Sequence, residues 1–176
     1  MEDIRKYFKE ENVDNSYIQQ PSVTYSPDNA HRVEVFSYKI GSPEDHFWNY
    51  TRGLVYDNET NELLFDIGRN YPSFYRGFLH HNNGNVYMIC GRNYHGGYTI
   101  LDLTNKLEYN YEPESTDKYS TFFCWIEAKY DSRKNTLDVV GCYWGAPYEI
   151  VTYDFSDPTS LPLREISRCY LNEEEE

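Results

Sequence analysis

The sequence predicts an all-β fold made of antiparallel meanders, and three observations lead to this prediction. Tyr, Phe and Trp make up 18% of the 176 residues, and such side chains favour the pleated, half-buried surface of a sheet. Short alternating runs are separated by polar turns along most of the chain. A similar strand–turn–strand pattern returns every 40 to 50 residues or so, which is about the spacing of propeller blades.

Eleven runs have the alternation or the β-branched and aromatic content of strands. They cover residues 32–40, 51–56, 63–67, 77–80, 86–90, 98–103, 107–111, 122–130, 136–140, 148–155 and 163–170. Between the fourth and fifth runs, Asn83-Gly84 supplies the positive φ angles that a tight hairpin turn requires. Closely spaced strands joined by such turns are typical of meanders.

The two ends of the chain carry separate predictions. Asp3 is a suitable cap for a short N-terminal helix, with Ile4, Tyr7 and Phe8 on one side of it. Residues 173–176 are four glutamates, which predict a disordered acidic tail. We therefore expect one all-β domain over residues 1–172.

Internal repetition refines the fold prediction. Three segments share a signature in which an Asn begins a strand, and Gly, two further residues and an aromatic end it; they end in residues 68–71, 91–94 and 141–144. The repeats predict about three four-stranded, blade-like units, one ending near Ile67 and the others over residues 76–111 and 122–168. Because a closed propeller takes about four to eight blades, an open propeller-like array, a sandwich and a barrel are the alternatives.

Composition limits the classes of partner. The formal net charge is −13, from 29 acidic and 16 basic residues, which argues against binding nucleic-acid phosphates or anionic membranes. No apolar signal or membrane-spanning run is present in the sequence, and the four cysteines show no C-x-x-C spacing. We expect a cytoplasmic monomer or dimer with reduced, mostly buried thiols and neither a metal nor a cofactor.

The loops that follow the repeated glycines are the predicted binding site. Their Arg, Tyr and Trp residues are the types that dominate binding hot spots, and two arginines could each receive a carboxylate or phosphate. We expect the loops to leave equivalent strand ends and to meet at one rim. The candidate residues are Arg69, Asn70, Tyr71, Arg92, Asn93, Tyr94, His95, Tyr143 and Trp144.

Three functions fit this rim. The first is a non-enzymatic recognition or regulatory domain that binds a protein or a small anionic ligand. The alternatives are an enzyme acting on a nucleotide or sugar, with His81 or His95 as its acid–base group, and a carbohydrate-binding module. If Arg69 and Arg92 serve the rim, replacing them with Ala should leave folding nearly intact. If they support the fold, the melting temperature should fall.

Two further groups of residues predict neither a metal site nor a nucleophilic thiol. His81 lies beside an Asn-rich turn, where a histidine is usually solvated, and adjacent His80 should point to the opposite face. Cys90 and Cys124 lie in apolar strand segments typical of a core, and Cys142 is expected to be the least buried of the cysteines. None has the electropositive setting that activates a nucleophilic thiol.

Between residues 50 and 158, the chain resembles an uncharacterised family of small β-repeat proteins with WD40- or kelch-type meanders. The stretches that carry the resemblance are residues 50–53, 68–71, 83–84, 90–91, 98–100, 123–125, 141–144 and 147–149. The resemblance implies blade-like sheets and no particular activity. At the position of Arg92-Asn93 the members of that family carry an acidic pair. This chain has an arginine and an amide there instead, so no shared ion site carries over to that loop.

Overall fold

The computed structural model describes residues 20–40, 48–92, 96–113, 123–143 and 145–171. These residues form twelve β-strands and no helix, which confirms the all-β class. Within the same ranges no helix is long and apolar enough to cross a membrane. The predicted N-terminal helix and the acidic tail lie outside the described residues.

The strands form three separate four-stranded antiparallel sheets, in which consecutive strands are neighbours. Sheet A contains β1 (Ser22–Tyr25), β2 (His31–Ile40), β3 (Trp48–Asp57) and β4 (Leu63–Arg69). Sheet B contains β5 (Arg76–His80), β6 (Val86–Gly91), β7 (Tyr98–Asp102) and β8 (Leu107–Tyr111). Sheet C contains β9 (Cys124–Asp131), β10 (Thr136–Cys142), β11 (Glu149–Asp154) and β12 (Glu165–Tyr170). The prediction of three four-stranded units is confirmed.

The first strand is the one that the sequence prediction missed. Strand β1 has only four residues and pairs with β2, with Ser22 opposite Val35 and Tyr25 opposite Arg32. None of its residues is buried. Its residues lie between Pro21 and Pro27, which are typical of a connector, so pairing with the ten-residue strand β2 decides its conformation.

The chain forms two compact units, Met1–Phe74 and Tyr75–Glu176. In the first unit, one face of sheet A carries the buried side chains, because inward residues of β3 and β4 alternate with outward ones. Phe74 packs on this face over Gly53, where an added Cβ atom would lie 3.2 Å from the phenyl ring. The buried side chains of this face include Val33, Val35, Val55, Phe65 and Ile67.

In the second unit, the core lies between sheets B and C. Every residue of β7 is buried, and the Tyr98 ring stacks on Trp125 of sheet C with 4.9 Å between ring centroids. Gly91 lets the two sheets approach at this point, because a Cβ atom there would lie 2.8 Å from the Cβ of Trp125. The same core includes Leu79, Tyr87, Ile89, Ile100, Leu137, Val139, Val151 and Phe155.

Each sheet has two distinct ends. At the turn end, tight hairpins join the first strand to the second and, in sheets A and B, the third to the fourth. Asn29, Asn61 and Asn135 take positive φ angles of 57°, 57° and 53° there, a conformation that Asn tolerates better than most residues. At the loop end, the second strand connects to the third. The predicted binding loops belong to this loop end.

Candidate recognition surfaces

The structure places the three glycine-led segments at the loop ends of their sheets, but not all at equivalent strands. Gly91 and Gly141 lie at the ends of β6 and β10, the second strands of sheets B and C. Gly68 and Arg69 belong to β4, the fourth strand of sheet A. The expected equivalence therefore holds for two of the three segments. Four predicted residues lie outside the described part of the chain: Asn93, Tyr94, His95 and Trp144.

The first segment is tied to the body of sheet A. Arg69 is only 7% exposed, it donates a hydrogen bond to the carbonyl oxygen of Gly68 at 3.0 Å, and its guanidinium carbon lies 5.5 Å from the centroid of the Phe74 ring. The carbonyl oxygens of Asn70 and Tyr71 accept hydrogen bonds from the Trp48 indole N–H (3.0 Å) and the Thr51 hydroxyl (3.1 Å). These contacts hold residues 69–71 against sheet A, so this segment supports the fold.

The second segment contains a paired arginine. The Nη1 atom of Arg92 donates to Glu112, and the Arg92 side chain is only 14% exposed. Its backbone N–H donates to the carbonyl oxygen of Gly97 at 3.2 Å. Because Glu112 neutralises Arg92 locally, a bound anion would have to compete with that carboxylate.

The third segment leads into an aromatic and arginine cluster at the loop end of sheet C. We call Phe123, Tyr143, Glu149, Glu165 and Arg168 the Arg168 platform. Its central guanidinium carbon lies 5.3 Å and 5.6 Å from the ring centroids of Phe123 and Tyr143. The same guanidinium donates to Glu149 Oε2 at 2.5 Å, to the Tyr143 hydroxyl at 3.2 Å, and to both carboxylate oxygens of Glu165.

Charge balance decides what this platform can bind. The hydrogen bond to Glu165 is the main cause of the raised pKa of Arg168. Burial of the guanidinium lowers this pKa, and the hydrogen bond to Glu149 raises it further. The Arg168 hydrogen bond in turn lowers the pKa of the Glu165 carboxyl. One positive charge thus faces two carboxylates, so the platform attracts an anionic ligand poorly. Sequence reasoning identified Tyr143 but missed Arg168, which reaches the site only through the pairing of β12 with β11.

A larger surface lies on the outward face of sheet A, opposite its buried face. Register pairs place Tyr25, Arg32 and Tyr56 in one row across β1, β2 and β3. Further rows place Phe36 beside Arg52 and Tyr38 beside Tyr50. We call this surface the aromatic face of sheet A. It consists of Val23, Tyr25, Arg32, Glu34, Phe36, Tyr38, Trp48, Tyr50, Arg52, Leu54, Tyr56, Leu63 and Asp66.

The aromatic face is open to solvent yet internally ordered. None of its residues is buried, and Tyr25 and Trp48 are 54% and 47% exposed. Arg52 makes two hydrogen bonds to Asp66, at 2.8 Å and 2.7 Å, and this pairing is the main cause of the raised pKa of Arg52. The Arg32 guanidinium carbon lies 4.5 Å from the centroid of the Tyr56 ring. Its arginines are thus held in place before any partner binds.

Sequence reasoning missed this face although a signal was present. In β2, Val33 and Val35 alternate with Arg32, Glu34, Phe36 and Tyr38, so both faces of the strand carry large apolar side chains. A period-2 pattern identifies the strand, but it cannot show which of two apolar faces is covered.

His81 differs from its prediction, because it is buried rather than solvated, with 6% exposure. Its Nε2 atom lies 2.8 Å from the carbonyl oxygen of Phe155, and its Nδ1 accepts a hydrogen bond from the backbone N–H of Asn83 at 3.1 Å. Since a carbonyl oxygen only accepts, Nε2 carries the proton. Both ring nitrogens serve the fold, which argues against His81 as an acid–base group.

The thiols are less buried than predicted. Cys90 is buried, as expected for a core residue, but Cys124 and Cys142 are half-buried and Cys169 is exposed. Cys142 is therefore not the least buried cysteine. Among the described residues, no group of three or more His, Cys, Asp or Glu side chains is arranged to hold a metal ion.

Comparison with known proteins gives one similarity and no activity. No protein-family model matches the chain. An uncharacterized protein of Acanthamoeba polyphaga mimivirus is 33% identical to it over 135 residues, which cover 76% of this chain and 50% of the viral protein. The chain thus spans about half the length of the relative that it matches. The predicted likeness to uncharacterised proteins is confirmed, whereas the WD40- or kelch-type relation remains a proposal.

Proposed function

We propose that this chain is a non-enzymatic recognition domain that binds a protein partner through the aromatic face of sheet A. The observation that carries the proposal is the concentration of Tyr, Trp and Arg side chains on one sheet face, where Tyr25 and Trp48 are exposed and the others are half-buried. These residue types are enriched in binding hot spots. An exposed apolar patch with a polar surround is characteristic of an interaction surface.

The shape of the face favours a macromolecule over a small ligand. Strands β2 and β3 are each ten residues long, so they extend roughly 33 Å. Small molecules are usually enclosed in concave pockets, whereas a long sheet face suits a protein surface. The prearranged Arg52–Asp66 pair also reduces the entropy lost when a partner binds.

The charge of the chain indicates the kind of partner. With a net charge of −13, the chain repels acidic proteins and attracts basic ones over distances of about a Debye length. We therefore propose a partner with apolar anchor side chains at the centre of its interface and basic residues at the edge.

We also propose that the three sheets are blades of an open, propeller-like array. Each sheet is a four-stranded meander of consecutive strands, which is the strand order of a propeller blade. The face-to-face core between sheets B and C is consistent with neighbouring blades.

Site-specific photo-crosslinking in extracts of the native source tests the proposed function. A photoreactive phenylalanine analogue would replace Tyr25 on the aromatic face and, in a matched control, Glu108, an exposed residue of β8. We expect position 25 to give a discrete protein adduct that position 108 does not give. Val23→Lys, an exposed change opposite Glu34, should reduce the yield at least fivefold in a chain with an unchanged melting temperature.

Two results would contradict the proposal. One is the same set of adducts from positions 25 and 108, and the other is a yield at position 25 that Val23→Lys leaves unchanged. An adduct between two copies of the chain would identify self-association as the role of this face in place of binding to another protein.

A further inference from the structure

Two half-buried cysteines face each other at the loop end of sheet C. Cys124 is the first residue of β9 and Cys142 the last of β10, and the two are direct partners in the antiparallel register. Directly opposed residues point to the same face, with Cα atoms roughly 4.5 to 5.5 Å apart. A disulfide requires a Cα separation of about 4.4 to 6.8 Å, so the strand pairing already provides the required approach.

We propose that Cys124 and Cys142 are an oxidative modification site, a dithiol that forms a reversible disulfide across β9 and β10 when it meets a peroxide. This inference does not depend on the proposed partner-binding function. Both thiols are reduced in this structure. Both are also partly accessible, as oxidation by a small molecule requires.

The other cysteines are poorly placed to compete for this bond. Cys169 lies on the same face of sheet C, but it pairs with Ile150 on β11, so β11 separates it from β10. Two strand spacings amount to about 9.5 Å, beyond the roughly 7 Å that a disulfide can bridge. Cys90 is buried in sheet B. The register therefore selects one pair from the four thiols.

The reaction balances with a peroxide as the oxidant. One thiolate attacks an oxygen of hydrogen peroxide, the O–O bond breaks, and a sulfenic acid forms with release of hydroxide, which takes up a proton to become water. The second thiolate then attacks the sulfenic sulfur, the S–O bond breaks, and a second hydroxide leaves, again to become water. Overall, two thiols and one peroxide give one disulfide and two waters. A thiol reductant reverses the bond by exchange.

The disulfide would act on the Arg168 platform through the chain. Phe123 directly precedes Cys124, and Tyr143 directly follows Cys142. These two rings lie 5.3 Å apart, centroid to centroid, and both contact the Arg168 guanidinium. A covalent link between their neighbours would restrict the separation of the two rings, so oxidation would make the loop end of sheet C more rigid.

Peptide mapping of the purified full chain tests the proposal. The reduced protein would be treated with a small molar excess of hydrogen peroxide, alkylated, digested and analysed by mass spectrometry. We expect a linked peptide pair containing Cys124 and Cys142, with the loss of two hydrogen atoms, which dithiothreitol converts back to two alkylated peptides. The oxidised chain should melt about 5 °C higher, because the crosslink restricts the unfolded chain.

Matched serine variants distinguish the Cys124–Cys142 disulfide from other products of oxidation. Cys169→Ser should form the linked pair at the wild-type rate, whereas Cys142→Ser should form no intramolecular disulfide. Should Cys142→Ser fail to fold, the wild-type peptide map still decides the question. Independent oxygen adducts on Cys124 and Cys142, or a predominant disulfide that includes Cys169, would overturn the proposal.

Discussion

At the scale of single residues, burial changes the meaning of the arginines in the predicted binding loops. An arginine after a strand-ending glycine has the side chain that suits a carboxylate or phosphate ligand. In the folded chain, Arg69 stacks against Phe74 and is almost inaccessible, while Arg92 pairs with Glu112. Phe74 and Glu112 lie 5 and 20 residues further along the chain than their arginines, and single-sequence patterns do not reveal these contacts.

Arg69→Ala tests this structural role. We expect the free energy of unfolding to fall by about 1 to 3 kcal/mol, because the variant loses buried packing and a hydrogen bond from a charged group. Urea denaturation measures the change. Arg133→Ala, at an exposed position in the β9–β10 turn, is the control and should change the value by less than about 0.5 kcal/mol. Equal effects of the two substitutions would contradict a structural role for Arg69.

At the scale of elements, asparagines in the left-handed conformation define the hairpin turns. Asn61 and Asn135 end equivalent five-residue turns, each beginning with an aspartate whose side chain accepts backbone N–H bonds. Asn135 has a second task, since its Oδ1 accepts hydrogen bonds from Tyr130 at 2.7 Å and from Asn82 of the sheet B turn at 2.8 Å. One residue thus sets a turn and links two sheets.

Paired substitutions separate these two tasks. Ala at position 61 or 135 should destabilise the chain by about 1 kcal/mol more than Gly at the same position, because only Gly adopts a positive φ without steric cost. Asn135→Gly should also cost more than Asn61→Gly, since it removes two hydrogen bonds, a part-buried one from Tyr130 and one from Asn82 of sheet B, whereas Asn61→Gly removes one exposed bond from Arg32. Thermal and urea unfolding of the four variants measures both differences. Equal stability of the Ala and Gly variants would contradict the first expectation.

Most elements were predictable from the sequence, and the exceptions have physical reasons. Alternation and turn residues act over a few positions, so eleven of the twelve strands and their turns were recognised near their true positions. Strand β1 was missed because its four residues lie between Pro21 and Pro27, and proline is typical of turns and connectors. The aromatic face was missed because β2 carries large apolar side chains on both of its faces.

At the scale of the whole molecule, ionisable groups set a lower and an upper limit to the pH range in which the folded chain is most stable. Hydrogen bonds lower the pKa of four carboxyl groups, chiefly from Thr60 for Asp57, Arg164 for Asp154, Thr159 for Asp157 and Arg168 for Glu165. The contribution of these carboxyl groups to the free energy of unfolding is present above their pKa in the unfolded chain. It is lost as the pH falls through their pKa in the folded chain. Burial raises the pKa of the Tyr75, Tyr98 and Tyr153 phenols, so their contribution is lost above the unfolded value of about 10.

We therefore expect a stability plateau between about pH 5 and pH 9.5, with losses below about pH 4 and above about pH 10. Urea midpoints measured across this range at constant ionic strength test the prediction. Arg164→Gln should make the acid-side loss shallower, because Arg164 is the main cause of the lowered pKa of Asp154. A midpoint that keeps rising from pH 9 to pH 11 would contradict the assignment of the buried tyrosines.

The all-β class, the hairpin turns and the division into three four-stranded units follow from the amino-acid sequence, because φ preferences and side-chain alternation are local properties. Which strand face is buried, which arginines are paired and which cysteines face each other became evident from the folded chain. These features depend on register and on packing between residues far apart in the chain, and no local pattern encodes them. Because one face of sheet A carries its buried side chains, the candidate recognition surface lies on the opposite, outward face.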